Sequence, residues 1–172
     1  MNQFEKRDSF VEVVQTHKGI IYKIANAYCR CAEDREDLVQ EILIQLWKSF
    51  DTYSDRYRFS TWLYRIALNT SISFYRKSST RKSLFSGNLG AFLNFPDTDE
   101  NDETESNITL LYRFISEFGD LDKALIILYL EEKSYKEISF IIGISETNVA
   151  TKISRLKKLL RKKFSDNDVC IS

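Results

Sequence analysis

Proline occurs once in this chain of 172 residues and glycine only five times. With so few breakers, long helices are favoured over turn-rich architectures. Histidine occurs once, as His17, and the three cysteines, Cys29, Cys31 and Cys170, show no metal-ligand spacing beside it. A zinc centre or a Ser–His–Asp triad would have to be assembled around His17, and no neighbour in sequence supplies the other members. Cys29 and Cys31 are therefore read as reduced side chains on a helix, and His17 as a surface or half-buried residue of the first helix. No apolar run approaches the roughly 18 residues needed to cross a bilayer. The stretch MNQFEKRDSFVEVV lacks the basic, apolar and small-residue regions of a signal peptide. A cytoplasmic protein without membrane insertion is expected. No acid–base pair or phosphate-binding loop is present either, so no catalytic residue, metal ligand or cofactor is expected.

What is present is 43% hydrophobic and 29% charged, which suits one or two small soluble domains. The formal net charge is zero, but the charges are segregated. Between Asp51 and Gly90 basic residues dominate: Arg56, Arg58, Arg65, Arg76, Lys77, Arg81 and Lys82. Acids dominate between Asp97 and Asp122, and from Lys152 to Lys163 the charge is purely basic. Two basic blocks separated by an acidic one say more than the isoelectric point does.

The pattern predicts an all-α chain of two small helical domains joined by a flexible acidic linker. Residues 1–80 form the first domain, 81–107 the linker and 108–172 the second. SFVEVVQTHKGIIYKIANAYCR and the segment Asp34 to Phe50 carry apolar residues at helical spacing. DTYSDRYR, Asp51 to Arg58, is a polar loop, and Ser60 or Thr61 is expected to cap the helix that follows. The linker holds the only proline and an acidic polar tract that cannot bury enough apolar surface to fold alone. Its SLFSGNLGAFLNF stretch is apolar enough to dock elsewhere. From Ile108 onward four helical runs follow with short breaks.

SYKEISFIIGISETNVATKISRLKKLL carries the clearest signature. Ser134 with Glu137 three residues on makes a capping box, Gly143 sits at a sharp turn, and Ser145 caps a second helix. At about 100° per residue, Val149, Ile153, Leu156 and Leu160 form that helix's inward stripe. Thr147, Asn148, Thr151, Arg155, Lys158 and Lys162 face the other way, and Lys152 is grouped with them as a DNA candidate. Hydroxyl, amide and cationic groups without a carboxylate after Glu146 suit base edges and phosphates. The alternative is a merely solvated cationic face.

In the first domain, Leu38, Val39, Ile42, Leu43, Leu46, Trp47 and Phe50 form a broad apolar stripe. Asp37, Gln40, Glu41, Gln45 and Lys48 lie opposite, with Ile44 among them. Ile44 is open to two readings, an ordinary exposed isoleucine or the centre of a protein-binding patch. In RFSTWLYRIALNTSISFYRK, Leu63, Ile66, Ala67, Thr70 and Phe74 form the core side. Arg65, Asn69 and Arg76 line the other side, flanked by Trp62 and Ser73. An aromatic ring, an amide and arginines together suit an unpaired strand; Trp62 as plain core is the alternative.

In this order the segments resemble the extracytoplasmic-function sigma factors, short members of the sigma-70 family of bacterial transcription initiation factors. DLVQEILIQLWKSF resembles the family's core-polymerase helix, and RFSTWLYRIALN with FYRK its promoter-melting and downstream-element helix. SYKEISFIIGISETNVATKISRLKK resembles its helix-turn-helix for the upstream element. The resemblance spans nearly all of residues 8–164. It implies that Asp37, Gln40, Glu41 and Ile44 meet the β′ clamp helices of core RNA polymerase, with the β flap a second contact. It also implies that the loop Asp51 to Phe59 captures a base flipped from the non-template strand. Arg56, Arg58, Phe59, Trp62, Arg65, Asn69, Arg76 and Lys77 would serve that downstream site. An anti-sigma protein is implied as a further partner. A linker of about 30 residues reaches roughly 100 Å when extended. Promoter elements about 17 base pairs apart lie some 58 Å from each other, and a relaxed coil averages only about 30 Å. The implied path is the polymerase channel that later carries RNA, which the acidic run PDTDENDETES would suit. Two departures from the family pattern stand out: Phe118-Gly119 replaces a common Leu-Pro, and Asn148 replaces a common threonine.

An ordinary helix-turn-helix regulator would bind an operator without polymerase, and a purely structural helical protein would have basic faces that are only solvated. An enzyme fits least.

Overall fold

The computed structural model describes residues 3–29, 31–54, 56–82, 110, 111 and 113–169, and no strand occurs among them. The chain divides into two compact units, Met1–Leu93 and Asn94–Ser172.

The first unit is built from α1 (Gln3–Tyr28), α2 (Ala32–Ser49), a 3-10 turn (Phe50–Thr52) and α3 (Phe59–Lys82). Each of the three helices packs on both others. Ile21, Ile24, Ala25 and Tyr28 of α1 are buried at i, i+3, i+4 and i+7, the spacing that puts side chains on one helix face. Leu38, Ile42 and Leu46 of α2 meet them at zero exposure. Each such aliphatic burial contributes about 1.5–3 kcal/mol. Cys29 and Cys31 sit at the junction of α1 and α2, neither of them in a disulfide. The expectation that they lie on a helix is corrected: Cys29 is buried just past α1, and Cys31 is the N-cap of α2, its Sγ accepting from Asp34 N at 3.4 Å. His17 is half-buried, as expected, with Nδ1 2.9 Å from the Val13 carbonyl.

The start of α3 also differs from expectation. Thr61 N and Trp62 N donate to Arg58 O at 2.9 and 3.2 Å, so the helix begins at Phe59. Ser60 and Thr61 lie inside it, and Thr61 is fully buried. The reason is the Phe59 ring, which is already docked on His17, Phe50 and Tyr53 and fixes the first turn. The buried arc of α3 is wider than the predicted stripe, taking in Tyr64, Leu68 and Ser71, because α3 packs against two helices at once. Ser71 satisfies its hydroxyl by donating to Ala67 O at 2.7 Å. The helix runs to Lys82, past the expected domain edge at residue 80. The rest of the expected linker, including SLFSGNLGAFLNF and the acidic run, lies outside the described residues, as does Cys170.

The second unit has helical residues at 110–111 and 113–116, then α4 (Asp120–Leu130), α5 (Tyr135–Ile142) and α6 (Glu146–Val169). Lys123 through Leu128 are buried all round α4, which makes it the central helix, packed on α5 and α6. At its end Lys133 N donates to Leu128 O and Glu132 N to Tyr129 O, both 3.1 Å. That is a Schellman closure with Glu132, at φ 55°, in the left-handed position usually given to glycine.

Candidate partner and nucleic-acid interfaces

Local chemistry assembles the helix-turn-helix. Ser134 Oγ accepts from Glu137 N at 3.2 Å, and Ser134 N donates to the Glu137 carboxylate at 3.0 Å, completing the capping box of α5. Gly143 ends α5 at φ 81°, where any side chain is strained, and its N donates to Ser139 O at 2.8 Å. Ser145 Oγ then accepts from Asn148 N at 3.3 Å and starts α6. Both predicted caps and the turn glycine are thus in place.

Val149, Ile153 and Leu156 are buried and Leu160 half-buried, so the inward stripe of α6 is the predicted one. Thr147, Asn148, Thr151, Arg155, Lys158 and Lys162 are exposed together on the other side. Lys152 does not join them. It is half-buried, with Nζ 4.0 Å from Asp122 Oδ1 at the start of α4, because its wheel position turns it toward that helix.

On α2, the face opposite the core carries Asp37 and Gln40, both exposed, and Glu41, half-buried, which accepts from Gln45 Nε2 at 2.8 Å. Ile44 stands among them at 46% exposure, an apolar side chain left in water by a helix whose other apolar residues are turned inward.

Arg65, Asn69, Ser73, Arg76 and Lys77 are exposed along one side of α3, as the spacing predicts. Trp62 is not among them. At 8% exposure it belongs to the core, its ring 5.3 Å from Phe59 and 5.5 Å from Tyr53. Phe59 is half-buried in the same cluster. These rings form the floor beneath the loop that leads into α3, and Arg56 and Arg58 are exposed on that loop. The cluster continues through Phe50 to Phe10 and Trp47, each step edge-on at 5.1–6.4 Å.

Two loop residues escaped the sequence reading. Tyr53 Oη donates to Tyr57 O at 3.1 Å and ties the loop across four residues, while Arg56 lies 5.8 Å from the Tyr57 ring centroid. The signal was available as two tyrosines four apart among the arginines of DTYSDRYR. Between α2 and α3 runs a groove of about 430 Å³, lined by Glu41, Gln45 and Ser49 on one side and Asn69, Ser73 and Lys77 on the other. Glu41 of the α2 face and Asn69, Ser73 and Lys77 of the α3 face thus border the same groove.

Among the described residues no cluster of His, Cys, Asp and Glu is arranged to hold a metal ion, and no helix is long and apolar enough to cross a membrane.

The Sigma-70 region 2 family model matches residues 13–81, and the Sigma-70 region 4 model matches residues 110–160. The chain is 29% identical over 170 residues to the ECF RNA polymerase sigma factor SigW of Bacillus subtilis, covering 93% of this chain and 91% of that one. It is 27% identical over 160 residues to the RNA polymerase sigma factor SigV of the same organism, covering 92% and 93%. Among solved structures, the sigma factor RpoE in complex with the anti-sigma factor NepR from Bartonella quintana shares the fold. Its TM-score is 0.75 at 18% identity, over 91% of this chain and 97% of that one. CnrH in complex with the cytosolic domain of CnrY gives 0.65 at 17% identity, over 93% and 90%. A three-helix unit with a polar face, a basic helix-turn-helix unit and two family matches in the same order lead to one conclusion: the chain belongs to the sigma-70 family as an extracytoplasmic-function sigma factor, a non-enzymatic DNA-binding factor that directs transcription initiation by RNA polymerase.

Proposed function

We propose that the exposed face of α2 is the docking site for the β′ clamp helices of core polymerase. The observation that carries this is Ile44, 46% exposed and ringed by Asp37, Gln40 and Glu41. An apolar centre with a polar, acidic rim has the anatomy of a protein interface. The adjoining side of α3, with Arg65, Asn69, Arg76 and Lys77, holds the melted non-template strand, and Arg56 and Arg58 guard the loop that receives its flipped base. Phe59 and Trp62 support that loop from below and are not free stacking surfaces.

On α6, Thr147 and Lys162 are 15 positions apart, about 22 Å along the axis at 1.5 Å per residue. A major groove about 12 Å wide accepts only the first turns. Thr147, Asn148 and Thr151 therefore meet base edges, while Arg155, Lys158 and Lys162 reach phosphates. Lys152 supports α6 through Asp122. The exposed apolar pair Leu130 and Tyr135, at the α4–α5 junction, suits the β flap. The factor works in the cytoplasm, where the polymerase is, and an anti-sigma protein is its regulator, in keeping with the complexes of RpoE and CnrH.

A titration of the purified chain against sigma-free core polymerase tests the reading. Wild type binds tightly, and Glu41→Lys and Ile44→Glu each weaken binding at least tenfold, the equivalent of about 1.4 kcal/mol. Wild-type affinity for core that both variants leave unchanged would place the clamp contact on another face.

A further inference from the structure

The region 2 match begins at residue 13, yet α1 begins at Gln3. Its first turns carry two side chains that reach the end of α2. The Phe10 ring meets Trp47 and Phe50 edge-on, with centroids 5.1 and 5.3 Å apart and planes at 76° and 84°. Lys6 Nζ lies 4.8 Å from the Trp47 ring centroid and also pairs with the Asp51 carboxylate. Phe50 and Asp51 belong to the 3-10 turn, where Thr52 donates its hydroxyl to Ser49 O at 2.6 Å. Tyr53 N donates back to Phe50 O at 3.2 Å, and Tyr53 Oη donates on to the Tyr57 carbonyl. The Phe50 and Tyr53 rings both contact Phe59. An unbroken chain of contacts thus runs from the start of α1 to both ends of the loop that presents Arg56 and Arg58.

We propose that Lys6 and Phe10 are positioning residues for capture of the flipped base: they brace the 3-10 turn from α1 and so fix the loop that receives the unpaired strand. The proposal rests on the reading of that loop as the base-receiving site. The loop contains no proline to hold its own backbone, so its order depends on the Tyr53–Tyr57 bond and on the turn at its base. A binding loop discriminates only as well as the scaffold beneath it holds its groups. On a loosened base the arginines would still attract phosphates, because that attraction tolerates small displacements and carries no sequence information. Hydrogen bonds to a base edge weaken steeply with misalignment and would be lost first. The brace therefore governs base selectivity more than overall affinity for the strand.

The test is selection by the full chain with core polymerase from a pool of random-sequence single-stranded DNA oligonucleotides. Wild type enriches one base at the captured position, and an abasic site placed there weakens binding. Phe10→Ala is expected to lower that enrichment about threefold and to shrink the abasic penalty by the same factor. Affinity for core and for the unselected pool stays unchanged. Phe10→Tyr keeps the wild-type preference. Lys6→Glu weakens the preference in the same direction without removing a ring, and the exchange Lys6→Glu with Asp51→Lys recovers it. An unchanged preference in both single variants, or a loss of affinity that is equal for every sequence, overturns the proposal. Failure of the underlying reading has a different signature: wild type itself then shows no base preference and no abasic penalty, and the brace falls with it.

Discussion

Asn69 and Trp62 lie two turns apart on α3, and their burial sorts them into different roles. Asn69 is exposed, so Asn69→Ala should leave unfolding free energy within about 0.5 kcal/mol of wild type. On the reading given above it should still weaken binding to a non-template-strand oligonucleotide. Trp62, at 8% exposure, sits under Tyr53 and Phe59, and Trp62→Ala should cost about 3–5 kcal/mol through the cavity it leaves. Denaturant melts and strand-binding anisotropy on the two variants separate the roles. Equal destabilisation by both would undo the division of α3 into a strand side and a core side. At this scale the exposed residues were legible from the helical wheel, because a wheel angle says which residues share a side. It could not show that a loop tyrosine folds over Trp62 from outside the helix.

Helix ends follow the same division. The caps at Ser134 and Ser145 and the turn at Gly143 were legible because their partners are three or four residues away. Gly143→Ala should destabilise the second unit by about 1 kcal/mol, and the cost is conformational alone, since an added Cβ meets nothing within 4 Å. Glu132→Gly should act in the opposite direction, stabilising by a few tenths to about 1 kcal/mol by relieving a left-handed glutamate. Thermal melts of the two variants in the full chain check both signs. The Schellman closure at Glu132 was not legible, since the sequence there offers no glycine to mark it. The early start of α3 was missed for a related reason: a docked aromatic ring, not a hydroxyl cap, fixes its first turn.

Over the whole molecule, 25 basic and 25 acidic residues cancel, but their segregation leaves α6 cationic. Affinity for an upstream-element duplex should therefore fall with salt, and Lys158→Ala and Lys162→Ala should each reduce the log–log slope by about 0.9. Lys152→Ala should change the slope less, because Lys152 is turned toward Asp122. Equal slopes for all three variants would contradict that difference.

The sequence by itself determined the helical character and order of the described segments, the caps at Ser134 and Ser145, the exposed polar faces of α2, α3 and α6 and the three motifs that identify the family. Each of these depends on residues within a few turns of one another. Only the tertiary structure decided that Trp62 is floor and not platform, that Lys152 meets Asp122, and that the end of α6 returns to grip Phe114. Those outcomes bring together residues 9, 30 and 50 positions apart. No local period encodes such pairings, because they follow from which buried surfaces meet once the helices pack.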